Sequence, residues 1–119
     1  MNAIAAPATR KIRPTLIEAD RLLRSNLAPL LPYMDDPTVN EIMVNSPEVI
    51  FVESKGEMRQ LEGVTITEKQ IESCLHAIMR LNSKEIAPIM DARLSGLRIA
   101  AALPPVAIHG PVIVIRKHA

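Results

Sequence analysis

The 119-residue chain has 14 lysines and arginines against 13 acidic residues, one cysteine, one tyrosine, one phenylalanine and no tryptophan; its 48% apolar content is enough for one core and one domain. A lone Cys74 excludes an intrachain disulfide and a cysteine-based zinc site, and no stretch approaches the ~18 consecutive apolar residues of a membrane span or forms the apolar core of a secretion signal, so a cytosolic protein is expected. The net charge of +1 sums unlike parts, with five basic and two acidic groups in residues 1–24, five and ten in 25–89, and four and one in 90–119; with two aromatic residues this argues against a nucleic-acid-binding surface.

Residues 1–14, MNAIAAPATRKIRP, have no sustained period and read as a mobile basic leader, leaving 15–119 as the domain. From Thr15, a plausible N-cap, the residues Leu16, Leu23, Leu27, Leu30 and Leu31 recur at helical spacing, and Pro29 or Pro32 should bend or end that helix. Asp35-Asp36-Pro37-Thr38 is a turn-forming cluster. Val39–Glu41 either extends it as a helical turn or leads into the next strand. Ile42–Val44, Val49–Val52 and Met58–Leu61 predict a three-stranded meander. Thr67-Glu68-Lys69-Gln70 has the form of a capping box, and Ile71, Leu75, Ile78 and Met79 trace one face of a helix running to about Leu81. Strands return at Met90–Leu94, Leu97–Leu103 and Val112–Arg116, with a turn at Ser95-Gly96 and a break at Pro104-Pro105. Short turns join most consecutive strands, so the expected fold is α+β, a small antiparallel sheet with helices on one face.

Catalytic motifs are missing: there is no G-x-x-x-x-G-K-[ST], G-x-G-x-x-G, H-E-x-x-H or G-x-S-x-G, and four glycines leave little for a phosphate-cradling loop. His76, His109 and His118 are widely spaced and have no acidic or cysteine ligand beside them in the sequence. No metal site and no catalytic residue are expected in these residues alone. Cys74 reads as a buried small hydrophobe.

The C-terminal arginines stand out. In a strand, Leu97, Ile99, Ala101 and Leu103 share one face and Arg98, Ala100 and Ala102 the other, so Arg98 projects from a face lined by methyl groups. Arg116 ends the apolar run Val112–Ile115, as the last turn-ward residue of a central strand. Arg93 lies two residues after Asp91 on the same face; a local Asp91/Arg93 ion pair and a solvated strand end for Arg116 stand as the alternatives to an anion site. A ligand for Arg98 and Arg116 would be a phosphate, which a guanidinium fork fits bidentately.

Several segments occur in a characteristic order. They are Leu27-Ala28-Pro29-Leu30-Leu31-Pro32, then Asp36 to Asn45 (DPTVNEIMVN), Asp91-Ala92-Arg93-Leu94, Leu97-Arg98-Ile99, Leu103-Pro104-Pro105 and Gly110 to Lys117 (GPVIVIRK). Together they resemble the N-terminal domain of secretion-superfamily traffic ATPases, in the branch of TrbB-like conjugal-transfer and CpaF-like pilus-assembly proteins. Two departures are visible: the Ser-Gly-Leu turn before Arg98 is short, and Ala100 stands where an Asn is common in that family.

The resemblance implies a hexameric ATPase powering type IV secretion, conjugal transfer or tight-adherence pilus assembly, cytoplasmic and peripheral at the inner membrane. It implies that this chain is a fragment, ending where an interdomain linker begins. The absent RecA-like domain would carry the P-loop and hold Mg2+, with ATP in the cleft between domains, and no cofactor would bind to the fragment alone. It also implies that Arg98 and Arg116, with Arg93 as a third, reach the nucleotide phosphates. The alternative is a stand-alone adaptor whose Arg10, Lys11, Arg13, Arg21 and Arg24 dock a protein partner or an anionic membrane surface.

Overall fold

A computed structural model describes residues 12–81, 89–94, 96–104, 107–108 and 110–117. Helix α1 spans Ile12–Asn26, a 3-10 turn Ala28–Leu30 and the short helix α2 Leu31–Met34. The helix therefore starts ahead of Thr15, which lies inside it and does not cap it. Pro14 permits the earlier start, because a proline in the first turn lacks only an N–H that has no intrahelical partner. Residues 12–14 of the expected leader belong to this helix, and residues 1–11 lie outside the described residues. Pro29 and Pro32 sit in the first turns of the 3-10 turn and of α2, and the first helix ends before Pro29, as expected.

Strands β1 (Val39–Ser46), β2 (Val49–Ser54) and β3 (Glu57–Gln60) form the meander, and Val39–Glu41 belongs to the strand. Asn40 is an extra residue in β1. Val39 pairs with Ser54 and Glu41 with Glu53, so Val39 and Ile42 both reach the core while Asn40 stays exposed. The β2–β3 turn has positive φ at both Lys55 and Gly56, the requirement of a two-residue I′ hairpin. Helix α3 (Glu68–Leu81) begins in the expected capping box: the Gln70 N–H donates to Thr67 Oγ1 at 3.0 Å and the Thr67 N–H to Gln70 Oε1 at 3.0 Å.

Strands β4 (Ile89–Leu94), β5 (Leu97–Ala102) and β6 (Val112–Lys117) complete a six-stranded antiparallel sheet in the order β3-β2-β1-β6-β5-β4. The last strand is therefore central. It pairs with β1 on one side and with β5 on the other. Ile42, Val44, Ile50, Val52, Ile99, Ala101, Ile113 and Ile115 turn to one face and are buried in one cluster with Leu23, Leu27 and Leu30 and with Ile71, Cys74 and Leu75 of α3. This is the expected α+β arrangement with helices on one face. Among the described residues no polar or charged side chain is buried, so any chemistry lies on the surface.

Two outcomes follow. Thr67→Ala should cost about 1 kcal/mol of stability in urea denaturation, through loss of the α3 cap. Burial pushes the Cys74 thiol up from 9.0 to about 12, so the folded chain keeps a proton that the unfolded chain gives up. The neutral thiol's contribution to stability is complete below pH 9.0 and declines as pH rises toward about 12, and native-state alkylation near neutral pH should be slower than that of the unfolded chain by on the order of 10³.

Candidate functional site

The face of the sheet opposite the helices carries the candidate residues. Strand register lines up Arg93, Arg98, Arg116, Glu41, Glu53 and Met58, one from each strand, in a single row across the sheet. Three arginines thus stand side by side on β4, β5 and β6, spaced by about 4.8 Å per strand at the backbone. The next row on the same face is Asp91, Ala100, Val114, Met43, Phe51 and Gln60, apolar at its centre. Small side chains there leave a shallow hollow of about 220 Å³ lined by Asp91, Arg98, Ala100, Val114 and Arg116.

Like charges directly opposite one another on neighbouring strands repel, and two carboxylates offset this here. Arg98 donates from Nη2 to Asp91 Oδ2 at 2.8 Å and from Nε to Asp91 Oδ1 at 3.3 Å. Hydrogen bonding to Asp91 first, and then its charge, raise the pKa of the Arg98 guanidinium above its ordinary value. Arg116 donates from Nε (3.0 Å) and Nη2 (2.9 Å), both to Glu41 Oε2. The Arg116 side chain is 61% exposed and that of Glu41 only 21%, so Glu41 is the more enclosed partner.

The neighbouring Lys117 turns the other way. Its ammonium donates to the backbone carbonyl of Met34 at 3.0 Å and to that of Asp36, binding the end of β6 to the turn after α2. The Asp36 side chain shapes that turn by accepting from the Thr38 N–H (2.8 Å) and hydroxyl (2.7 Å), and these bonds hold its carboxyl below the usual carboxylate range. The Arg24 guanidinium does the same for Asp35, at 3.0 Å.

The structure brings Arg98 and Arg116 together as neighbours and sets Arg93 beyond Arg98. Where a local Asp91/Arg93 pair stood as an alternative, the structure shows Asp91 accepting from Arg98 on the next strand. The two-residue β4–β5 turn lays Arg98 opposite Arg93, and the diagonal from Asp91 fits the longer reach to Arg98. Sequence reasoning missed Glu41 and the carbonyl clamp of Lys117, since both depend on β6 lying beside β1. Of the basic residues on which an adaptor role would draw, Arg24 is engaged by Asp35 and Asp20, and Arg10 and Lys11 lie outside the described residues. Among the described residues no group of three or more potential ligands can hold a metal, and no helix is long and apolar enough to cross a membrane.

No protein-family model matches the chain. The type IV secretion system protein VirB11 of Brucella suis is 31% identical to it over 97 residues, or 77% of this chain, and proteins of the same name from Brucella abortus and Brucella melitensis match equally. The crystal structure of the Brucella suis VirB11 ATPase, in complex with sulphate, superposes with a TM-score of 0.78 at 25% identity over 87% of this chain and 32% of that one. The fold is that of a secretion-ATPase N-terminal domain. The chain is homologous to these VirB11 proteins of type IV secretion systems and matches the N-terminal domain of such an ATPase, and it spans 27% of the length of these curated relatives.

Lys117→Met keeps the aliphatic stem and removes the ammonium. It is expected to lower stability by about 1–3 kcal/mol, read as a lower urea midpoint, because two backbone carbonyls lose a charged donor.

Proposed function

We propose that this chain is the N-terminal part of an ATPase that powers type IV secretion or a related conjugal-transfer or pilus-assembly machine, and that its uncovered sheet face forms one wall of the nucleotide cleft. The observation that carries the reading is the side-by-side placement of Arg98 and Arg116 on adjacent strands, around a hollow with a methyl-lined floor. The Brucella suis VirB11 ATPase, on which the chain superposes, was solved in complex with sulphate, an oxyanion of phosphate-like shape.

The other wall is a RecA-like domain beyond residue 117, carrying the P-loop and holding Mg2+, and the whole protein works as a homo-hexamer at the cytoplasmic side of the inner membrane. ATP supplies the phosphoanhydride that is cleaved. Arg98 and Arg116 bind and orient its phosphate oxygens, and Arg93 adds long-range positive charge at the row's end. Guanidinium charge fixed by the sheet meets the charge that builds on the transferred phosphoryl group, with little reorganisation when it develops. The small side chains of Ala100 and Val114 let a phosphate chain lie close to the sheet between the two arginines.

In the full-length protein, Arg98→Ala and Arg116→Ala should each lower ATP hydrolysis by on the order of 10³ if they act as arginine fingers do. Hydrolysis at the normal rate in both variants overturns the reading. Wild-type hydrolysis that needs neither Mg2+ nor assembly overturns its domain and oligomer parts.

A further inference from the structure

We propose that Asp91 and Glu41 are built-in counter-anions of the arginine pair: each holds one guanidinium until a phosphate displaces it, so the two together favour a polyphosphate over a single phosphate. The proposal rests on the phosphate reading above and adds two residues to it.

Both carboxylates take the same edge of their arginine, Nε with Nη2. That edge is also one on which a phosphate is held by two parallel N–H donors, so carboxylate and phosphate exclude one another there. Neither carboxylate grips at its best. The two Arg116 donors converge on one oxygen, Glu41 Oε2, where a phosphate offers two, and one arm of the Arg98 fork is 3.3 Å long.

Displacement has a cost, and it is unequal. Asp91 is half-exposed and water takes over the bonds it loses, whereas Glu41 is 21% exposed and on losing Arg116 is left partly enclosed beside an incoming anion. A single phosphate that frees one arginine gains little over the carboxylate it replaces. A linear polyphosphate spans two neighbouring strands, engages both guanidiniums and meets the cost of ordering only once. Glu41 is thus the stronger of the two thresholds.

The test is a titration of the 119-residue chain with inorganic pyrophosphate and, separately, inorganic phosphate, followed by the 1H–15N signals of Arg98 and Arg116 Nε–H at fixed low ionic strength. Glu41→Gln and Asp91→Asn keep shape and an acceptor oxygen but remove the charge. Exposed ion pairs contribute modestly, so each variant should tighten pyrophosphate binding by about 2- to 5-fold, Glu41→Gln more than Asp91→Asn. The double variant should also narrow the preference for pyrophosphate over phosphate. Either single variant decides the outcome, since they lie on different strands and the spectrum itself reports folding. Unchanged or weaker binding in the variants, with both arginine signals still moving in the wild type, overturns the counter-anion role and leaves the phosphate reading intact. Arginine signals that move in no form of the protein overturn both.

Discussion

The structure depends on β6 lying between β1 and β5. Without that pairing the chain holds two separate pieces, the β1–β2–β3 meander and the β4–β5 hairpin, and the two-stranded hairpin is marginal alone. The run Val112–Ile115 suits the position, with Ile113 and Ile115 on the helix side and Val112 and Val114 on the other. The same pairing sets Arg116 opposite Arg98 on one flank and opposite Glu41 on the other. The architecture of the core and the geometry of the arginine row are therefore one constraint, not two.

That constraint explains how a face can hold three arginines in line. Repulsion within the row is offset by carboxylates supplied from within the sheet, Asp91 from the edge hairpin and Glu41 from the meander. All the helical packing lies on the opposite side, so the charged row and the apolar row beside it are free of cover by the helices. A second protein surface brought against this face meets a nearly flat wall with a charged ridge. Such a surface suits closure around an anion better than a deep pocket for a neutral ligand.

Much of this was legible in the chain itself. The Thr67/Gln70 capping box and the α3 face of Ile71, Leu75 and Met79 are local features, and both stand. So do the strand runs and the alternation that separates Arg98 from Ile99. The two-residue turn at Ser95-Gly96 fixes Arg93 opposite Arg98 by length alone. Thr15 misled because an early proline is compatible with a first helical turn, so capping residues there lose their meaning. Glu41 was invisible for a different reason. It meets Arg116 across 75 residues of sequence, and no local pattern announces which strand will lie next to β6. The Asp91–Arg98 bond was hidden on the same ground, because spacing within a strand says nothing about a partner on the next one.

The bulge in β1 bears on how this domain can vary in length. A deletion within the paired stretch Ile42–Val44 moves every residue on one side of it to the opposite face, exchanging core isoleucines for surface groups. Asn40 is different, because the ladder already passes over it: with Asn40 removed, Val39 falls into the regular place opposite Ser54, and Glu41 keeps its partners Glu53 and Arg116. At Asn40 the strand thus holds a position where a codon can be lost without disturbing either the core or the arginine row. Deletions among descendants of this sequence have a tolerated address directly beside Glu41, the more enclosed partner of the Arg116 ion pair.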